Sequence, residues 1–200
     1  ECHNSTSTSW RLMGWSRIMS NKNNLLCRQI FPRYYLRFFS NQINVEGTIS
    51  RFGKGVEAGQ YAQVERVFSK KDVADFGRLV GDQNPIHSNN FSQLPNDVQP
   101  LLERSGLTSR PLVHGMLAAS LFSCIFGTLI PGSVYRNQKL TFRFPIFVDD
   151  KVLAKVTVTK VRHLKGGNGT LLSCDTEVLA KDDHKVSITG DAVVWLPITK

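Results

Sequence analysis

Two short runs of this 200-residue chain hold residue types that can move protons and steady negative charge on oxygen. The first is Gly81-Asp82-Gln83-Asn84-Pro85-Ile86-His87. A glycine able to end a helix precedes a carboxylate, a proline fixes the turn, and an imidazole returns five residues after the acid. Such a turn can bring Asp82 and His87 into one small space, a pair suited to general acid–base chemistry near neutral pH. The plain structural reading is an Asx turn followed by a hydrogen-bonded turn histidine. The second run is Pro111-Leu112-Val113-His114-Gly115-Met116, which opens an apolar segment. The first amides of a helix there are unpaired and sit at its positive end, which suits charge developing on an oxygen. Gly115 allows a ligand close to the backbone, so Gly115, His114 and Met116 are the candidate substrate-binding residues. Taken alone, His114 is better read as a helix-start or packing residue than as a catalyst. His163, beside a glycine turn, and His184, in a charged turn, read as solvated.

Elements that could position these runs follow from hydrophobic period. Ser69, with Asp72 three residues on, reads as a helix N-cap, and Val73, Phe76 and Val80 then form an apolar stripe that Gly81 ends. Residues 97–104 fit a short helix. No Lys, Arg, Asp or Glu occurs over 111–135, and the apolar part, 116–130, is 15 residues long. At about 1.5 Å per residue it spans roughly 22 Å, short of the ~30 Å hydrocarbon core of a bilayer. A helix apolar on every side but too short to cross is expected inside a domain. Downstream the period becomes two. Leu140, Phe142, Phe144, Ile146 and Val148 share one face, as do Val152 to Val158, Leu172 to Val178, and Val186 to Leu196 at alternate positions. Four strands on short polar turns predict an antiparallel meander, with 61–68 a weaker strand upstream. A sheet with one apolar face beside such a helix predicts α+β, the sheet curled round the helix.

Other chemistries lack their residues. There is no G-x-S-x-G elbow, Walker loop, H-E-x-x-H or G-x-G-x-x-G after a strand, so no metal and no nucleotide cofactor is expected. The cysteines at 2, 27, 124 and 174 form no C-x-x-C pair, which points to a reducing compartment.

The string F-x2-L-V-G-D-Q-N-P-I-H over 76–87, with R-P-L-V-H-G-M over 110–116, resembles the (R)-specific enoyl-thioester hydratases of the MaoC-like family, over about 61–196 of the chain. It is also similar to the (3R)-3-hydroxyacyl-thioester dehydratases of mitochondrial fatty acid synthesis. The resemblance implies a hot-dog fold, a curved antiparallel sheet wrapped round a long helix, and no cofactor. It implies catalytic roles for Asp82 and His87, with Gly81, Asn84 and Pro85 shaping the loop. An amide around Gly115 would hold the thioester carbonyl. Substrates would be acyl thioesters of acyl carrier protein or coenzyme A, and the site would form at the seam of a homodimer. In one place the chain departs from the family pattern: a small residue commonly stands six positions after the histidine, where this chain has Gln93, with Ser92 one step earlier.

The net charge of +9 would by itself suggest nucleic acid or an acidic membrane. Arg11, Arg17, Lys22, Arg28, Arg33 and Arg37 stand against Glu1 alone, so +5 of it lies before Val45 and +4 after. Ser, Asn and aliphatic or aromatic residues are interleaved with these cations, the makeup of a mitochondrial transit peptide. No apolar stretch of about 7–15 residues precedes Val45, as a secretory signal would need, so the sequons at Asn4, Asn90 and Asn168 read as chance. The expected organisation is a targeting and disordered lead over 1–44, starting at Met13 or Met19, and one domain over 45–200 in the mitochondrial matrix. No transmembrane segment and no nucleic-acid partner are expected, since no basic aromatic stripe follows Val45. Arg104, Arg110, Arg136, Lys139 and Arg143 form either a solvated face or a landing patch for an acidic carrier. Two rivals stay open, a hot-dog thioesterase and a basic mitochondrial RNA- or ribosome-binding protein.

Overall fold

The structure, a computed structural model, describes residues 43–181 and 185–197. The expected lead lies outside the described residues except for positions 43 and 44, and so do Cys2, Cys27 and His184.

Strands β1 (Val45–Gly47), β2 (Tyr61–Val67), β3 (Val134–Phe142), β4 (Lys151–His163), β5 (Thr170–Ala180) and β6 (Val186–Leu196) form one antiparallel sheet. Their order is β1-β2-β4-β5-β6-β3. Helices α1 (Lys70–Val80), α2 (Gln99–Arg104) and α3 (Gly115–Leu129) complete the fold. The alternating residues of the long strands, Val152, Ala154, Val156 and Val158 on β4, Leu172, Cys174 and Val178 on β5, and Ile188, Ala192, Val194 and Leu196 on β6, are all buried. They meet Ala118, Leu121, Phe122, Ile125 and Phe126 of α3 in one core. Burying a ring such as Phe122 stabilises by roughly 1.5–3 kcal/mol relative to leaving it in water. This curved sheet around a helix is the hot-dog arrangement. No helix among the described residues is long and apolar enough to cross a membrane.

The structure corrects the expected meander. β4, β5 and β6 do follow one another, but β3 pairs with β6 at the far edge and not with β4. The predicted strand over 138–148 also ends early. β3 stops at Phe142, and the amides of Arg143 and Phe144 both bond the Ser187 carbonyl, at 2.8 and 3.4 Å. Ile146 and Val148 are buried as expected, yet Phe142 and Phe144 are 53% and 52% exposed. The alternation of side chains continued past Pro145 while the backbone had already left the sheet. Nor is α3, expected to be apolar on every side, buried on every side: Met116, Ser120, Ser123 and Gly127 form an exposed stripe. On α1 the capping box of Ser69 and Asp72 is formed and Gly81 adopts φ 79°, but Val80 is exposed rather than part of the stripe.

At Gly190 on β6 an added Cβ would lie 1.9 Å from the Lys139 carbonyl oxygen, so only glycine lets β3 pair there. Gly190→Ala should therefore detach the β3 edge. Hydrogen exchange is expected to show protection lost along β3 and retained between β4 and β5.

Candidate active site

Gly81 turns the chain out of α1, and the next residue is pinned by its own loop. The Asn84 amide donates to Asp82 Oδ1 at 3.0 Å, and the Ile86 amide to Asn84 Oδ1 at 3.3 Å. Pro85 opens a single turn of 3₁₀-helix that ends at His87. The Asx turn and the acid–imidazole pairing are thus one arrangement, with Oδ1 serving the turn and Oδ2 left for chemistry.

Leu112 holds the other end of this loop. Its amide donates to the Ile86 carbonyl at 3.0 Å, and its carbonyl lies 2.8 Å from His87 Nδ1. A carbonyl only accepts, so Nδ1 carries the proton and the Nε2 of neutral His87 is bare. Leu112 is itself anchored by flanking bonds, Val113 amide to Ile146 carbonyl at 2.8 Å and Val148 amide to Pro111 carbonyl at 2.9 Å. The segment that left the sheet after Phe142 therefore braces the histidine.

Three side chains converge. Asp82 Oδ2 lies 3.6 Å from His87 Nε2 and 3.7 Å from His114 Nε2. The two imidazoles stack with ring centroids 3.6 Å apart and planes 22° apart. His114 is the N-cap residue of α3, 5% exposed, and neither of its ring nitrogens has a hydrogen-bond partner. Burial, and then the neighbouring His87, hold its pKa below the ordinary 6.5, against an opposing pull from Asp82. The three ligand-type atoms lie within 4.8 Å of one another.

Two cavities meet at His87. One, of about 470 Å³, is lined by Asp82, Asn84, His114, Lys70 and Arg78 together with Val73, Ala74 and Pro111, and is mixed in character. The other, of about 400 Å³, is lined by Gly115, Met116, Phe142, Phe144, Ile146 and Ile188 and is apolar. Gly115 begins α3 at the boundary, where a Cβ would meet the Phe142 ring at 2.6 Å. Gln93 and Ser92 sit in an exposed single turn and line neither cavity.

The sequence reading missed Gly77, at which a Cβ would stand 2.9 Å from the Asp82 carbonyl oxygen and 3.5 Å from the His114 ring. A glycine inside a helix costs about 1 kcal/mol against alanine and so signals a close approach. Nothing in the sequence flagged Leu112, whose contribution is its backbone. Among the cations that read as either a solvated face or a landing patch, Arg110 is a tie within the chain: it pairs with Asp150 at 2.7 Å, donates to the Val148 carbonyl at 3.2 Å and lies 4.9 Å over the Phe147 ring. Arg143 donates to Thr189 Oγ1 at 3.1 Å.

The profile of the MaoC-like domain matches residues 51–177. The chain belongs to the MaoC-like family. Among MaoC-like relatives it is 36% identical to the (R)-specific enoyl-CoA hydratase of Aeromonas caviae over 146 residues, 72% of this chain and 98% of that one. It is 30% identical to the mitochondrial 3-hydroxyacyl-[acyl-carrier-protein] dehydratase of Arabidopsis thaliana over 86% of this chain and 93% of the relative. The solved (R)-hydratase of A. caviae superposes with a TM-score of 0.58 over 72% of this chain and 99% of that structure. The kinship of this MaoC-like chain is thus with hydratases and dehydratases, enzymes of the hydro-lyase class.

His114 generates a pH-dependence of stability. Its folded pKa is depressed, so the unfolded chain takes up the proton first and stability is lost as pH falls through about 6.5. Urea unfolding at pH 8 and pH 5.5 should show this loss, and His114→Phe should reduce it.

Proposed function

We propose that the chain catalyses the reversible dehydration of a (3R)-3-hydroxyacyl thioester to the trans-2-enoyl thioester, with Asp82 and His87 as its acid–base pair. The observation that carries this reading is the bare Nε2 of His87 opposite Asp82 Oδ2 at 3.6 Å, beside the first amides of α3 and an apolar cavity. The apolar cavity takes the acyl thioester, with its carbonyl oxygen at the amides around Gly115. Asp82 faces the cavity that Asn84, Lys70 and Arg78 also line, where water can stand. In the hydration direction, water gives a proton to Asp82 as its oxygen bonds C3, and the His87 imidazolium protonates C2. Dehydration reverses both transfers: the C2–H pair becomes the double bond and the C3–O bond breaks as water leaves. One proton passing between Asp82 and His87 resets the pair. Charge on the thioester oxygen is met by the helix amides, of which a single donor is typically worth about 3–4 kcal/mol of barrier.

The carrier is acyl carrier protein or coenzyme A, and the cellular setting is mitochondrial fatty acid synthesis. The basic lead of the sequence and two plant relatives named as mitochondrial support that setting. A homodimer is favoured by the β3 edge strand, which among the described residues has no partner on its outer side, together with exposed Val134, Phe142, Phe144 and Met116.

Asp82→Asn and His87→Ala should keep the fold and lose hydration of a crotonyl thioester by about a hundredfold or more. Near-normal turnover in either folded variant would sink the assignment, and release of free thiol by the wild type would indicate thioester hydrolysis instead. On a sizing column the active species is expected at twice the chain mass.

A further inference from the structure

The acid–base pair leaves one group of the cluster unused. His114 is as close to Asp82 Oδ2 as His87 is, 3.7 Å against 3.6 Å, yet His114 is itself only 5% exposed and both its nitrogens are unpartnered. A buried imidazole N–H without an acceptor is costly, and the chain has made room for this one. Gly77 gives α1 no side chain where Asp82 and the ring press against it, and Phe76 packs at 5.0 Å between ring centroids.

We propose that His114 is a positioning residue, a neutral imidazole protonated on Nε2 that donates to Asp82 Oδ2 once substrate closes the site and so holds the carboxylate for catalysis. The two stacked rings then carry opposite tautomers. Leu112 takes the Nδ1 proton of His87 and leaves its Nε2 bare, whereas a carboxylate can be attracted only by an Nε2 that bears its proton. The stack also makes the charges exclusive. Two imidazolium rings 3.6 Å apart repel, so the pair carries at most one positive charge, and burial disfavours that charge on His114. The other charged groups lining this cavity are Lys70 and Arg78 of α1, and Arg78 is bound to Asp75 at 3.1 Å.

The inference rests on the dehydratase reading, and its test separates the two. In His114→Phe the stack and the burial remain and the donor is lost. Its kcat on a crotonyl thioester should fall by about tenfold or more, as for loss of a hydrogen bond to a charged group, with KM unchanged. The acid limb of the pH profile should move upward, because the carboxylate loses a donor that favours its charged form. His114→Gln places an amide N–H near the position of Nε2 and should restore most of kcat. His114→Asn, whose amide reaches only the Nδ1 position, should not. A Phe variant with wild-type kcat and acid limb, or Gln and Asn variants of equal activity, would overturn the proposal. If the Phe variant fails to fold, the Gln and Asn pair decides. Long-range ¹⁵N–¹H spectra of the full chain read the His114 tautomer without any turnover: an Nε2–H form is expected, and an Nδ1–H form overturns the role whatever reaction the site performs. Wild-type protein with the expected tautomer but no hydratase activity would instead remove the dehydratase reading alone.

Discussion

The hydrogen bond from His87 Nδ1 to the Leu112 carbonyl, 2.8 Å long, is the contact on which the site depends. It decides which ring nitrogen is bare, and it exists because a backbone segment is held still on both sides. Leu112 donates to Ile86 on one side and pairs opposite Phe147 on the other. A side-chain acceptor could rotate away from the imidazole, whereas a carbonyl in a short ladder cannot. The tautomer of His87 is thereby set by main chain.

The same constraint draws on the segment between β3 and β4. The chain leaves the edge after Phe142 and runs under the loop before re-joining the sheet at Lys151, which puts Ile146 and Val148 beneath the residues that open α3. The same excursion leaves Phe142 and Phe144 as walls of the apolar cavity rather than as core. Arg110, a cation that sequence alone offers to a partner, is used to fasten this excursion through Asp150 and Val148. Electrostatics outside the site therefore serve to hold the scaffold.

Much of the fold was legible in the residues. The alternation in β4, β5 and β6, the capping box at Ser69 and Asp72, and the length of the α3 segment each reflect a local rule with a period or a partner a few residues away. The pairing of Asp82 with His87 was legible for the same reason, since five residues and a proline confine both groups to one turn. The pairing of β3 with β6 was not, because the hydrophobic pattern of a strand is identical whichever neighbour it takes. Exposure of Ser120, Ser123 and Gly127 was diluted in a segment whose average is apolar.

By itself the sequence determined the turn that carries Asp82 and His87, the helix start at Gly115 and the apolar faces of β4, β5 and β6, because all of these are short-range consequences of residue type. Only the tertiary structure decided that His114 stacks on His87, that Leu112 sets the proton on the ring, and that Gly77 admits the Asp82 backbone and the His114 ring. These groups lie up to thirty-seven positions apart in the chain. Their meeting depends on where α1, the loop and α3 come to rest around the buried core, which no local spacing encodes.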